Sequence, residues 1–257
     1  MAWDYTALII LPQGVLALVR LLVCRVLAWC IVLCVPGLLI TSNVVWAFNE
    51  ERLYVYSINR FNVSDRIGVP EKELNRISRE VIAYWRSDQD QLDITLFGGP
   101  AYSLREVTHM QDVKHLVGLI YKMQWLLGLV LGASVVLSIL LEKTNRLVSF
   151  GKALTKGGLA TGGLVLAVSL IGIIAFPWLF TLFHKISFSN DFWLLDPRKH
   201  LLVQMFPQRF WFEATLFLGL ASALEGVALA GSGWALSRAG SLRRVLGEFK
   251  GADGEPG

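Results

Sequence analysis

The stretch VLAWCIVLCVPGLLITSNVVWA, residues 26–47, carries no charged side chain. About 20 apolar residues in an α-helix are enough to cross a hydrocarbon core of roughly 30 Å, so this segment predicts a membrane span. Working outward, runs of the same kind recur at residues 123–141, 159–183 and 212–236, the last with an acid, Glu225, near its middle. The chain as a whole is 54% hydrophobic and 17% charged, and its charges crowd between the apolar runs instead of covering a soluble surface. The predicted fold class is a mainly α membrane protein: a four-helix transmembrane bundle with a small α+β extracytoplasmic cap between the first and second spans.

Charge sets the orientation. Arg20 and Arg25 precede the first span, Lys143, Arg146, Lys152 and Lys156 lie between the second and third, and Arg238, Arg243, Arg244 and Lys250 follow the fourth. Basic residues flanking spans stay on the cytoplasmic side, so both termini are expected there. The expected order is a cytoplasmic or interfacial segment (1–25), first span (26–47), extracytoplasmic cap (48–115), second span (116–141) and cytoplasmic loop (142–158). A third span (159–183), an outer loop (184–211), a fourth span (212–236) and a cytoplasmic tail (237–257) complete it. The cap holds nine basic and eleven acidic residues, and a loop that long crosses largely regardless of charge. The outer loop is short and also basic, and it is placed outside by the parity of the spans.

A shorter apolar run, residues 7–19, is broken by Pro12 and Gly14 and is expected to lie in the interface. The first span is too long for a signal-peptide core and has no convincing small-residue cleavage site after it, so it is expected to remain as an anchor. Cys24, Cys30 and Cys34 fall in or beside it at no zinc or redox spacing and read as packing residues. The net charge of +4 belongs to topology: no basic stripe interleaves with stacking aromatics, and nucleic acid is not expected as a partner.

Within the cap, Pro70 suits a first helical turn, Glu71 and Glu73 favour its positive end, and Leu74, Ile77, Val81 and Trp85 recur at helical spacing. RLYVYS (52–57) and LDITLF (92–97), rich in β-branched and aromatic residues, read as a strand pair, the second ending at Gly98, Gly99 and Pro100. The glycine-rich tail after Phe249 is expected to fray.

The chemistry-bearing residues gather at the outer boundary. HMQDVK (109–114) puts His109 and Asp112 at i and i+3 on one helical face just before the second span. FHKISFSNDFWLLDP (183–197) places His184 at the outer end of the third span, followed by Trp193 and Asp196. Two imidazoles and two carboxylates are thus expected to converge at one membrane level. Histidine titrates near neutrality, which suits general acid–base work. Alone, His109 and Asp112 could simply cap or solvate a helix end at the headgroups, and Phe192, Trp193, Phe206, Phe210 and Trp211 could be an interfacial aromatic belt. Glu225 is costly in lipid and should face the bundle interior or a wet cleft. Serine-hydrolase elbow, phosphate-loop, zincin and dinucleotide motifs are missing, and the four polar groups lack a diagnostic metal spacing, so neither cofactor nor metal is expected.

At these residues the chain resembles the bacterial lipoprotein intramolecular transacylase family. HMQDVK, FHKISFSNDFWLLDP and MFPQRFW (205–211) carry the resemblance, in order and in place relative to the spans. It departs at Ser187, where the family has an aromatic residue, and at residues 189–191, which lack the family's proline and glycine. The resemblance implies transfer of an ester-linked acyl chain from the diacylglyceryl group of a lipoprotein's N-terminal cysteine to that cysteine's α-amine, giving the lyso form. The partners implied are a diacylated lipoprotein and membrane lipid. His109 and His184 would be catalytic, Asp112, Lys114 and Asp196 supporting, and Trp193, Phe206, Trp211 and Glu225 would meet substrate or lipid. The rival readings are a phospholipid hydrolase or acyltransferase at the outer leaflet and a non-enzymatic membrane scaffold.

Overall fold

The computed structural model describes residues 13–142 and 146–252. Four helices in it are long and apolar enough to cross a membrane: α1 (Gln13–Asn49), α5 (Leu104–Leu141), α6 (Arg146–Ser187) and α8 (Gln208–Ala252). Each outruns the apolar stretch that announced it, because a helix continues past the hydrocarbon wherever polar residues find caps or protein partners. Residues 14–19, expected as a broken interfacial piece, continue directly into α1, and residues 1–12 lie outside the described residues. The tail expected to fray after Phe249 is helical to Ala252, and residues 253–257, like Lys143, lie outside the described ones.

Backbone contacts divide the chain into two compact units, and all four long helices contribute to both. In the first unit, a side chain on Gly158 would strike the carbonyl oxygen of Gly226, so α6 and α8 meet backbone to backbone there. Thr155 Oγ1 lies 3.2 Å from the Ala230 carbonyl in the same contact. Small residues allow this approach, which is the usual route to packing where lipid tails are as apolar as leucine.

The second unit contains the cap. Three short helices, α2 (Glu51–Arg60), α3 (Val63–Ile67) and α4 (Glu71–Arg86), precede a hairpin, β1 (Thr95–Leu96) and β2 (Gly99–Pro100). A single-turn α7 (Leu201–Met205) comes between α6 and α8. Helix α4 is the amphipathic helix predicted, with Leu74, Ile77, Val81 and Trp85 all buried. The expected strand at residues 52–57 is instead α2: Tyr54, Ser57 and Ile58 are buried at i, i+3 and i+4, a helical stripe that outweighs the partial alternation. Only Thr95–Leu96 of the expected strand at 92–97 is extended, and its partner is not residues 52–57 but Gly99–Pro100, with Leu96 paired to Gly99 across Phe97 and Gly98, both at positive φ (51° and 82°). That geometry is a two-residue primed turn, in which glycine adopts the left-handed backbone without strain.

One apolar core joins these pieces to the N-terminal ends of α5 and α8, running from Tyr54 and Ile58 through Trp85 and Ile94 to Met110, Met205 and Phe210. Its polar atoms are satisfied. Trp85 Nε1 donates to Tyr54 Oη at 3.0 Å, Tyr54 Oη to the Phe48 carbonyl at 3.0 Å, and Ser57 Oγ to the Met205 carbonyl at 2.6 Å. The core thereby fixes the end of α5 on which His109 sits.

Candidate active site

Helix α5 opens with a capping box. The Ser103 N–H and Oγ donate to Glu106 Oε2 at 2.8 and 2.7 Å, and Glu106 Oε1 accepts the Leu202 N–H of α7 at 2.8 Å. One buried carboxylate thus caps two helices and fixes the rotation of α5. Arg105, His109 and Asp112 follow on one face. Across from them, α6 is bent at Ala175 (φ −143°, ψ 44°), two residues before Pro177, whose ring cannot donate and crowds the carbonyl a turn earlier. The turns after the bend carry His184 to the cap end of α6.

The two imidazoles meet there. His109 and His184 are each only 7% exposed, with ring centroids 6.0 Å apart and planes inclined by 32°. Aromatic rings wall them in: Phe180, Trp193 and Phe183 lie 4.3, 4.9 and 5.2 Å from His184, and Phe188 lies 5.2 Å from His109 and 5.7 Å from His184. His184 Nδ1 is 2.7 Å from the Phe180 carbonyl oxygen. A carbonyl only accepts, so Nδ1 carries hydrogen and the neutral ring keeps its lone pair on Nε2. His109 Nδ1 is buried with no hydrogen-bond partner among the described residues. Such a site offers one imidazole with an assigned acceptor nitrogen and a second with an uncommitted one, in surroundings that exclude water, which is equipment for moving protons at a reacting centre.

The remaining predicted residues divide. Trp193 stacks on His184, with its Nε1 donating to the Asn190 carbonyl at 3.1 Å. Asp112 is on the His109 face of α5, but its Oδ2 accepts from Asn190 Nδ2 at 2.8 Å and does not orient the imidazole. Lys114 turns toward the cap, donating to the Gln89 carbonyl at 2.6 Å and Ser87 Oγ at 3.2 Å with its ammonium 4.1 Å from the Tyr84 ring; it is a tether. Asp196 does not join the histidines. It binds Arg198 through both carboxylate oxygens at 3.1 Å, and this guanidinium and the Arg198 N–H hold its carboxyl at about 2, well below the usual range. Phe206 is a buried core residue, edge-on to Tyr54 at 5.4 Å, and Trp211 is partly exposed beside Phe210 at 5.1 Å. Glu225 accepts from Asn43 Nδ2 at 2.8 Å, a contact between α1 and α8. No cluster of metal-ligating side chains occurs among the described residues.

Sequence reasoning missed Asn190 and Arg105. Asn190 bonds Asp112, accepts the Phe192 N–H at 3.1 Å through Oδ1, and holds Trp193 in place. Arg105, one turn before His109, donates to the Asp191 carbonyl and lies 5.6 Å over the Phe192 ring. Both fasten residues 190–193 to α5, and nothing in a single sequence announces hydrogen bonds formed across about 80 residues. Sequence reasoning also passed over the Glu106 box, for which there was a signal: Ser-x-x-Glu before an apolar run is its signature.

The family model described as lipoprotein intramolecular transacylase Lit matches residues 29–211, a stretch that contains both histidines and the whole cap. The chain belongs to the lipoprotein intramolecular transacylase family. Its fold is that of the membrane-integral Lit from Bacillus cereus: one structure of that transacylase covers 87% of this chain and 98% of its own at a TM-score of 0.70 and 23% identity. Two further structures of the same protein, with one histidine replaced by arginine or by alanine, give TM-scores of 0.68 at 20% identity. A relative from Aquifex aeolicus (strain VF5), described only as an uncharacterized protein, is 26% identical over 186 residues, 70% of this chain and 81% of that one. As a member of the transacylase family with four apolar helices, the chain is a multi-pass membrane acyltransferase.

Proposed function

We propose that the chain moves an ester-linked acyl chain from the diacylglyceryl group of a bacterial lipoprotein to the α-amine of its N-terminal cysteine, giving the lyso-form lipoprotein, with His109 and His184 as the acid–base pair. The observation that carries this reading is the pair itself: two buried imidazoles 6.0 Å apart, one with its tautomer assigned by the Phe180 carbonyl and one with a free ring nitrogen.

In this mechanism His184 Nε2 takes a proton from the substrate α-ammonium, whose ordinary pKa is about 8, and the freed amine attacks the ester carbonyl. His109 takes one of the two protons left on the attacking nitrogen and passes it to the glyceryl oxygen as the ester C–O bond breaks, and the other stays on the amide. One C–O bond is exchanged for one C–N bond, and the proton on His184 returns to solvent. Amine and ester belong to one molecule, so holding them together supplies much of the rate, and exchanging an ester for an amide is downhill without a nucleotide. The aromatic wall keeps water from competing with the amine.

The same reading puts the catalytic pair at the extracytoplasmic face of the plasma membrane and both termini in the cytoplasm, following the basic residues that flank the spans. Mass spectrometry of the N-terminal peptide of a diacylated lipoprotein incubated with the purified protein tests it. An N-acyl, mono-O-acyl peptide of unchanged total acyl mass is expected with wild type and not with His109→Ala or His184→Ala. Loss of one acyl chain would make the protein a hydrolase, and an unaltered peptide would leave a scaffold.

A further inference from the structure

Beside the histidines lies a cavity of about 160 Å³, lined on α5 by Asp112, His115, Leu116 and Leu119, and opposite by Ser187, Phe188, Ser189 and Asn190. At well under the ~300 Å³ of a drug-sized pocket, it suits a small head group. Phe188 is its link to the chemistry, since the same ring packs against both His109 and His184.

Asp112 is the only acid in the lining. Asn190 pins its Oδ2, and it forms no ion pair among the described residues. Lys114, two positions on, is committed to Ser87 and Gln89. A partly buried carboxylate held still beside a cavity, with Ser187 and Ser189 in the same lining and no ion-pair partner among the described residues, is complementary to a small cation carrying N–H donors. Leu116 and Leu119 continue the same wall as apolar surface, which suits the carbons that follow such a cation. His115 also stands in the lining.

We propose that this cavity is the seat of the substrate's α-ammonium, with the Asp112 carboxylate as its counter-ion and the Ser187 and Ser189 hydroxyls as further acceptors. The inference rests on the transacylase reading above and adds to it a positioning residue. Asp112 holds the nitrogen as a cation about one helical turn from His109, so that deprotonation happens only where the ester is already in reach. Asp112 does not take part in the bond exchange.

The experiment uses two synthetic lipopeptides in which both ester links are replaced by ethers, so that nothing can transfer. One has a free N-terminal amine and the other an acetylated one. Binding to the purified full-length protein in nanodiscs is measured for each. Wild type is expected to prefer the free amine by about 10-fold or more, the scale of one charge-assisted hydrogen bond. Asp112→Asn, which keeps the shape and the contact with Asn190, should bring the ratio close to one while leaving the affinity for the acetylated peptide unchanged. Asp112→Glu should restore part of the preference. Ser187→Phe, which fills the cavity without touching the Asp112–Asn190 bond, should weaken the free-amine peptide most. A wild-type ratio retained in Asp112→Asn, or no preference in wild type, overturns the ammonium seat. Ester-linked lipopeptide run in parallel separates the two ideas: lyso product formed with an unchanged ratio removes the seat alone, and no lyso product removes the transacylase reading and the seat together.

Discussion

At His184 a single hydrogen bond decides what the ring can do. With Nδ1 donating to the Phe180 carbonyl, Nε2 is the only nitrogen able to accept a proton, and protonation there costs no existing contact. Replacing either histidine by alanine should lower the transfer rate by about 10²–10⁴-fold, the usual contribution of a positioned proton-transfer group, with thermal unfolding unchanged as the control. Asp196 gives an opposite expectation. Its folded pKa of about 2 lies below the unfolded value, so whatever stability its pairing contributes is complete above about 4 and is lost only as pH falls through about 2. Asp196→Asn should therefore leave the shape of the rate profile between about pH 5 and 9 unchanged. The histidines were legible because each stands at the edge of an apolar run on the same predicted side. Asp196 instead pairs with Arg198, a partner two positions on that is also visible in the sequence, since a neighbour with short reach captures a carboxylate before a distant site can.

Among the elements, α5 and α4 do most to hold the site. Glu106 satisfies N–H groups at the starts of both α5 and α7, so Glu106→Ala leaves orphan donors at two buried helix ends and is expected to cost about 1–3 kcal/mol. Ile77, fully buried on α4, should cost about 2–5 kcal/mol on truncation to alanine. Thermal unfolding in detergent checks both, and Glu106→Gln, which keeps one acceptor, should lose less. The α4 stripe and the four apolar runs could be read directly, because helical periodicity over many residues averages out local noise. The strand expected at residues 52–57 was an error of window: those six residues are dominated by Tyr54, Val55 and Tyr56, whereas ten residues show the stripe of Tyr54, Ser57 and Ile58. The hairpin was not foreseen, since the strand at 92–97 was expected to pair with residues 52–57; Arg76, whose guanidinium reaches the Thr95 carbonyl at 2.7 Å, ties it to α4 instead.

For the whole molecule the expectation concerns sidedness. A tag after residue 252 should be reached by a membrane-impermeant reagent only in opened cells, whereas a cysteine replacing the exposed Gln89 of the cap should be labelled in intact cells treated to open the outer wall. The reverse pattern would place the histidines in the cytoplasm, away from any lipoprotein after export. Glu225 bears on how such a chain is built. A carboxylate near the middle of a span costs about 2.5–3.5 kcal/mol if lipid is all that surrounds it, on the scale for charged residues, and its amide donor here is Asn43, 182 positions earlier on α1. Of the two helices joined by this bond α8 is synthesised later, and it finds the partner for its polar residue on α1. Until α1 and α8 meet, Glu225 lacks this amide, and the cost of a polar side chain in lipid falls on the unassembled chain.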